Sequence, residues 1–246
     1  MSRFSLIYIG CFLLILSIFS FFNIIYSYYF NIFLNVDVYT YVFFITLFLG
    51  LFACFYKKIK LKKISIYEKI LTVLFGYLFF PLIISIPFYF SINNISFLNC
   101  YFESISGFTS TGFTIFDNIK HLDESLILWR SSSQWLGGLY FLFSIILLID
   151  IFDENLKKSL TNFFSFNSTE VLKQSIKILL LYAGLTCIIF VILNIFGIRS
   201  FNSLNLAMTI ISSGGFLPTN ELSSILVNDF QVIIFSLLML ISFFSI

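Results

Sequence analysis

Long uncharged stretches alternate along this chain with short polar breaks. Phe4–Val36, Val38–Tyr56, Ile70–Phe102 and Ser131–Ile149 contain no Asp, Glu, Lys or Arg. Crossing a hydrocarbon core of about 30 Å takes roughly 20 apolar residues as a helix. The pattern predicts crossings over the first two runs, from Ile70 to about Phe90, over Leu126–Ile149 and over Ile178–Ile198, with a sixth beginning at Phe230. Pro81 and Pro87 are expected to bend or end the third. The first run is much longer than the apolar core of a signal peptide, about 7–15 residues, and lacks a small-residue cleavage site, so it reads as a retained helix.

Two shorter helices are predicted between crossings, at Leu98–Phe108 and Ser203–Ile211. Ten helical residues rise only about 15 Å, half of the hydrocarbon thickness. Each short helix runs into small hydroxyl and glycine residues. The first such stretch is Ser106-Gly107-Phe108-Thr109-Ser110-Thr111-Gly112-Phe113-Thr114, the second Ile210-Ile211-Ser212-Ser213-Gly214-Gly215-Phe216-Leu217. Aligning Gly112 with Gly215 places Asn99 opposite Asn202, each 13 positions upstream. Asn is a good N-cap, so each copy reads as cap, short helix and glycine loop. A single Ser/Thr/Gly run is commonly just a loop, but a duplicated one argues for a paired device. Non-helical backbone at membrane depth persists only where protein or water surrounds it. The fold class is therefore all-α integral membrane, with six transmembrane helices and two re-entrant pore-helix/filter loops. Its segments are an N-terminal helix pair (1–63), a first helix–pore loop–helix repeat (64–150), a cytoplasmic connection (151–177) and a second repeat (178–246).

Composition agrees: 59% of residues are hydrophobic and 11% charged, with a mean hydropathy of +1.02. A net charge of +2 gives no case for a nucleic-acid partner. Lys57, Lys58, Lys60, Lys62 and Lys63 fix the orientation, since Lys and Arg collect on the cytoplasmic side. Both termini then lie inside. Asp37, Asp117, Asp123, Glu124, Glu221 and Asp229 fall outside, against Lys120 and Arg199, and suggest a negative vestibule. Cys11, Cys54, Cys100 and Cys187 show no paired spacing and read as small membrane-buried hydrophobes. His121 reads as a solvated loop residue. A catalytic triad, a metal-binding cluster and a phosphate loop are missing from the pattern, so an enzyme is disfavoured and no cofactor is expected.

Helix, pore loop and helix with a hydroxyl-Gly filter resembles the potassium-channel plan, and the details resemble the TrkH/KtrB-type potassium uptake family. They are Phe102-Glu103-Ser104, the filter Ser106–Thr114, and Trp129-Arg130 with Gln134-Trp135-Leu136-Gly137-Gly138. The second repeat is carried by Asn202 through Gly214-Gly215-Phe216, and the leading helix pair resembles the TrkH branch. The resemblance implies potassium uptake across a bacterial inner membrane, a homodimer and a TrkA-type nucleotide-binding regulatory subunit. The family carries four pore repeats around one pathway and this chain carries two. The chain therefore reads as a truncated or split product, with the other repeats supplied by a second copy or a second half-chain.

Potassium is weakly hydrated, and backbone carbonyls replace its water shell at little cost. The expected ion-binding residues are Thr109, Ser110, Thr111, Gly112 and Phe113, with Ser212, Ser213, Gly214, Gly215 and Phe216. Glu103 is a functional candidate because an ionisable group within a membrane segment is costly; it either serves the ion from behind the filter or braces the loop's backbone. Arg130 either pairs with it or snorkels to the outer interface. Gly137 and Gly138 read as a helix-packing face. The competing function is a non-conducting assembly or regulatory fragment.

Overall fold

A computed structural model describes residues 3–55, 66–148 and 171–244. The basic run 57–63 and most of the connection 151–177 lie outside them. Eight α-helices account for nearly all regular structure, and there is no strand among the described residues. They are α1 (Arg3–Tyr29), α2 (Val36–Phe55), α3 (Ile66–Ser91), α4 (Phe97–Phe108), α5 (Glu124–Leu148), α6 (Val171–Ile195), α7 (Ser200–Ser212) and α8 (Asp229–Phe244). Five of them, α1, α2, α3, α5 and α6, are long and apolar enough to cross a membrane. The protein is an all-helical integral membrane protein. α8 is apolar and is described over 16 residues.

α5 is the central post, packed against α1, α3, α4, α6 and α7. It is the most buried of the long helices, and its buried polar side chains include Arg130, Ser131, Ser132, Ser133 and Gln134. The lipid-sized apolar side chains of α1, α2, α3 and α6, such as Phe22, Phe48, Leu74 and Leu180, point outward instead. α1 and α2 form a hairpin that crosses at Gly10 and Gly50. A Cβ on Gly10 would stand 2.8 Å from the Ala53 Cβ, and one on Gly50 would stand 3.1 Å from the Gly10 carbonyl oxygen.

Of the two expected outcomes, a bend or an end, neither proline brings the second: α3 runs through both Pro81 and Pro87 to Ser91. A proline disturbs the carbonyls of the preceding turn. Here the carbonyl three residues before each proline receives a side-chain donor from elsewhere. The Tyr101 hydroxyl donates to the Leu78 carbonyl at 3.0 Å, and the Trp129 indole N–H donates to that of Ile84 at 3.0 Å. Neighbouring helices thus bond to the turn that each proline disturbs.

Beneath α4, the rings of Phe12, Phe80, Phe108 and Tyr140 form one aromatic cluster, with centroids 4.5–6.0 Å apart. The Tyr140 hydroxyl donates to the Val73 carbonyl at 3.1 Å. The cluster seats the last residue of α4, and therefore the start of the first glycine loop. At the opposite end of α5, two of the acidic residues assigned to a vestibule act as clamps. Asp123 accepts from Asn35 at 3.0 Å, while Glu124 accepts from Tyr26 at 2.8 Å and from Arg199 at 2.7 Å.

Candidate functional site, a pair of matched glycine loops

α4 and α7 have 12 and 13 residues, about 18–20 Å long. Their starts correct the capping expectation. Ser96, not Asn99, caps α4, its Oγ accepting from the Asn99 N–H at 3.3 Å; Asn99 sits one turn inside. α7 begins after Arg199 without a side-chain cap, and Asn202 is its third residue. Both copies are instead preceded by a left-handed residue, Asn94 (φ 67°) and Gly197 (φ 82°), 103 positions apart.

The same offset of 103 relates the helix ends bond for bond. In the first copy the Thr111 N–H donates to the Ser106 carbonyl at 3.0 Å and the Ser110 N–H to the Gly107 carbonyl at 2.9 Å. In the second the Gly214 N–H donates to the Thr209 carbonyl at 3.0 Å and the Ser213 N–H to the Ile210 carbonyl at 3.1 Å. This is the Schellman ending, with a left-handed residue closing the helix. That residue is serine both times, Ser110 at φ 55° and Ser213 at φ 53°. Gly112 (φ 80°) and Gly215 (φ 83°) follow two positions later. A hydroxyl then ties each loop back to its helix: Ser106 Oγ donates to the Phe113 carbonyl at 2.5 Å, and Thr209 Oγ1 to the Phe216 carbonyl at 2.7 Å.

The two loops meet. A Cβ on Gly112 would lie 2.6 Å from the Gly214 carbonyl oxygen and 3.4 Å from the Gly215 Cα. α5 makes this approach possible. A Cβ on Gly137 would collide with the Phe108 carbonyl at the end of α4, and one on Gly138 would stand 3.1 Å from the Ser212 Cβ at the end of α7. The paired glycines let both short helices seat on one post, which is the packing reading. Gly137→Ala is accordingly expected to cost about 1–3 kcal/mol or more by overpacking. Gly184 has no atom near its missing Cβ. Thermal unfolding in detergent should therefore show Gly184→Ala near wild type and Gly137→Ala well below it.

Glu103 and Arg130 are both fully buried, with Arg130 Nε 2.8 Å from Glu103 Oε1. The snorkelling alternative for Arg130 is thereby overturned. The carboxylate holds the far side of the first loop: it accepts from Thr114 Oγ1 at 3.0 Å and from the Ile115 N–H at 2.9 Å. The guanidinium spans both loops, donating to Thr114 Oγ1 at 3.1 Å and to the Leu217 carbonyl at 3.3 Å. It also lies over the Phe216 ring, 4.1 Å from the centroid.

The second copy has Leu206 where the first has Glu103. Gln134 of α5 fills that place, its Oε1 accepting from the Phe216 N–H at 3.2 Å and lying 3.1 Å from Thr209 Oγ1. Sequence reading assigned Gln134 no role of its own. A signal was present: Arg130, Gln134 and Gly137 recur at helical spacing and share one face of α5.

The predicted site residues fall at this junction with unequal parts. The Thr109 hydroxyl donates to the Ile105 carbonyl at 2.7 Å, and that of Ser212 to the Met208 carbonyl at 2.8 Å, so both finish their own helices. The Thr111 hydroxyl bonds that of Thr109 at 2.6 Å. The Phe113 ring is exposed while that of Phe216 is buried. A cavity of about 260 Å³ touches Thr109, Ser110, Ser212 and Ser213. The C-terminal ends of both short helices border it, which turns partial negative charge toward the space. Tyr182 also lines it, and its buried hydroxyl has no hydrogen-bond partner among the described residues.

Fold and site together define an integral membrane protein built on paired short helices with matched, touching glycine loops. No protein-family model matches the chain. It is similar to the potassium transporter TrkH from Vibrio parahaemolyticus, with a TM-score of 0.75 and 22% identity, covering 98% of this chain and 49% of that one. It is 29% identical over 198 residues to the uncharacterized cation transporter MJ1485 of Methanocaldococcus jannaschii, covering 76% of this chain and 40% of that protein. The Trk system potassium uptake protein TrkI of Halomonas elongata is 44% identical over 55 residues, 22% of this chain and 11% of its own length. The chain spans half or less of the length of these relatives. The resemblance to TrkH/KtrB-type potassium transporters read from the sequence is upheld by the fold and by these matches.

Proposed function

We propose that this chain contributes two helix–pore loop–helix units to a potassium-conducting pathway. Segments 64–150 and 178–246 are those units, preceded by the helix pair 1–63, and α8 begins a sixth crossing. α4 and α7 enter the membrane part-way, and their loops return to the surface they came from. Thr109, Ser110, Thr111, Gly112 and Phe113, with Ser212, Ser213, Gly214, Gly215 and Phe216, form the ion-facing stretches and present backbone carbonyls to dehydrated K⁺. Glu103, Arg130 and Gln134 brace those loops from behind. The observation that carries this reading is the contact of two identically hydrogen-bonded loops at Gly112, where a Cβ would stand 2.6 Å from the Gly214 carbonyl.

The basic run 57–63 is proposed to face the cytoplasm, with both termini inside, in a bacterial inner membrane. The exposed Phe113 ring, at 69%, and Phe102, at 48%, leave a side of the first loop for further units to cover. Those units come from a second copy or a second half-chain, and a TrkA-type nucleotide-binding subunit is the proposed regulator.

Rubidium uptake into potassium-starved cells tests the reading. Cells expressing this chain with a chain carrying two further units should take up Rb⁺ well above empty-vector cells. Correctly inserted protein that leaves uptake at background would overturn the transport role. It would favour the second reading, a non-conducting assembly subunit.

A further inference from the structure

We propose that the cavity at the ends of the two short helices binds a small primary alkylammonium ion, with the Tyr182 hydroxyl oxygen accepting from its N–H. The cavity, about 260 Å³, is several times the roughly 30 Å³ that one water takes in the liquid. Tyr77, Phe108, Phe141 and Tyr182 bring aromatic side chains to its wall, beside Leu142. Such a wall suits a hydrocarbon body, and ring faces attract a cationic head. The C-terminal ends of α4 and α7 border the same space, each equivalent to roughly half a negative charge. No Lys, Arg, Asp or Glu is among the described residues that line it, so the helix ends set the sign of the charge it favours.

Tyr182 gives the site its polar anchor. The residue is 4% exposed, and its hydroxyl has no hydrogen-bond partner among the described residues. The ring is held in place: it packs on Trp135 with centroids 4.8 Å apart, and the Trp135 indole N–H donates to Thr186 Oγ1 at 2.9 Å. The hydroxyl oxygen lies against Gly138, where a Cβ would collide with it and would stand 3.1 Å from the Ser212 Cβ. Gly138 and Ser212 line the cavity as well, so the orphaned hydroxyl sits at its wall beside the end of α7. A buried hydroxyl left unmet is costly, and a bond from a charged donor is stronger than one from a neutral donor. A primary ammonium supplies such N–H donors and, like the lysine amine, is charged at neutral pH. A quaternary ammonium of the same size has no N–H to give.

Equilibrium dialysis of radiolabelled n-butylammonium against the full chain in detergent micelles tests this, with empty micelles as the blank and ionic strength held constant. The comparison ion is tetramethylammonium, an isomer of equal charge without an N–H. One saturable equivalent of n-butylammonium per chain is expected, bound about tenfold more tightly than tetramethylammonium. Tyr182→Phe, which removes only the orphaned hydroxyl, should erase that preference and leave tetramethylammonium binding unchanged. Phe141→Leu should weaken both ions alike, since it takes away a ring face. The neutral analogue 1-butanol should not displace the label at equal concentration. The proposal is overturned by an absence of saturable binding above empty micelles, by equal affinity for the two isomers in the unaltered chain, or by displacement with 1-butanol. A folded Tyr182→Phe that keeps the preference overturns it too. Binding is read on the chain alone and rubidium uptake on the assembled pathway, so this inference and the transport reading fail separately.

Discussion

Arg130→Ala is expected to cost about 3–5 kcal/mol of stability, because it strands a buried carboxylate. Glu103 is 0% exposed, and without the guanidinium it keeps, among the described residues, the Thr114 hydroxyl and the Ile115 N–H as partners. Two neutral donors offset part of the desolvation of a charge, not all of it. Arg130 is lost from both loops at once, since it donates to Thr114 in the first and to the Leu217 carbonyl in the second. Glu103→Gln should also destabilise, leaving the arginine buried without its counter-ion. The double variant Glu103→Gln/Arg130→Gln should lose clearly less than the two single losses combined, because no unpaired charge remains. Reversible denaturant titration in detergent micelles, run as a double-mutant cycle, measures that coupling. Additive losses, or an Arg130→Ala variant within about 0.5 kcal/mol of wild type, would refute the bracing role.

Gly112→Ala should abolish K⁺ over Na⁺ discrimination in the assembled pathway, and it should do so more completely than Gly215→Ala. The two glycines share their backbone strain, φ 80° and 83°, in a region costing an L-residue roughly 1–2 kcal/mol. They do not share their surroundings. The new Cβ at Gly112 meets the Gly214 carbonyl at 2.6 Å, whereas at Gly215 the nearest atom is the Gly112 Cα at 3.7 Å. The first substitution therefore pushes a carbonyl of the opposite loop as well as bending its own. A carbonyl moved by a few tenths of an ångström no longer matches the shell it replaces around a dehydrated ion. Competition of Na⁺ against Rb⁺ uptake reads the difference. Unchanged discrimination in folded Gly112→Ala, or a larger loss in Gly215→Ala, would place the ion path elsewhere.

The uneven success of sequence reading follows from the range over which each feature is encoded. Helix positions came from local apolar runs, so α4 at Phe97–Phe108 matches the expected Leu98–Phe108 nearly to the residue. The loop pairing came from self-similarity: Gly112 and Gly215 adopt the same left-handed backbone. Two local signals were incomplete. Asn99 and Asn202 are not caps, because Ser96 Oγ already serves the first helix and the second starts without a side-chain cap. Pro81 and Pro87 do not end α3, and Tyr101 and Trp129 donate to carbonyls in the turns before them. The first failure is local, a choice between neighbouring caps; only the second involves partners distant in the chain.

By itself, then, the order of residues determined an apolar, all-helical membrane chain with two short helices ending in twinned glycine loops. Hydrophobic length and glycine's backbone freedom are properties a segment carries wherever it sits. Only the tertiary structure decided that the loops touch, that Glu103 pairs with Arg130 rather than Arg130 reaching for the interface, and that Gln134 stands in for an acid the second copy lacks. Those depend on α4 and α7 both seating on α5, where a buried charge or amide is tolerable only when its partners arrive from other parts of the chain.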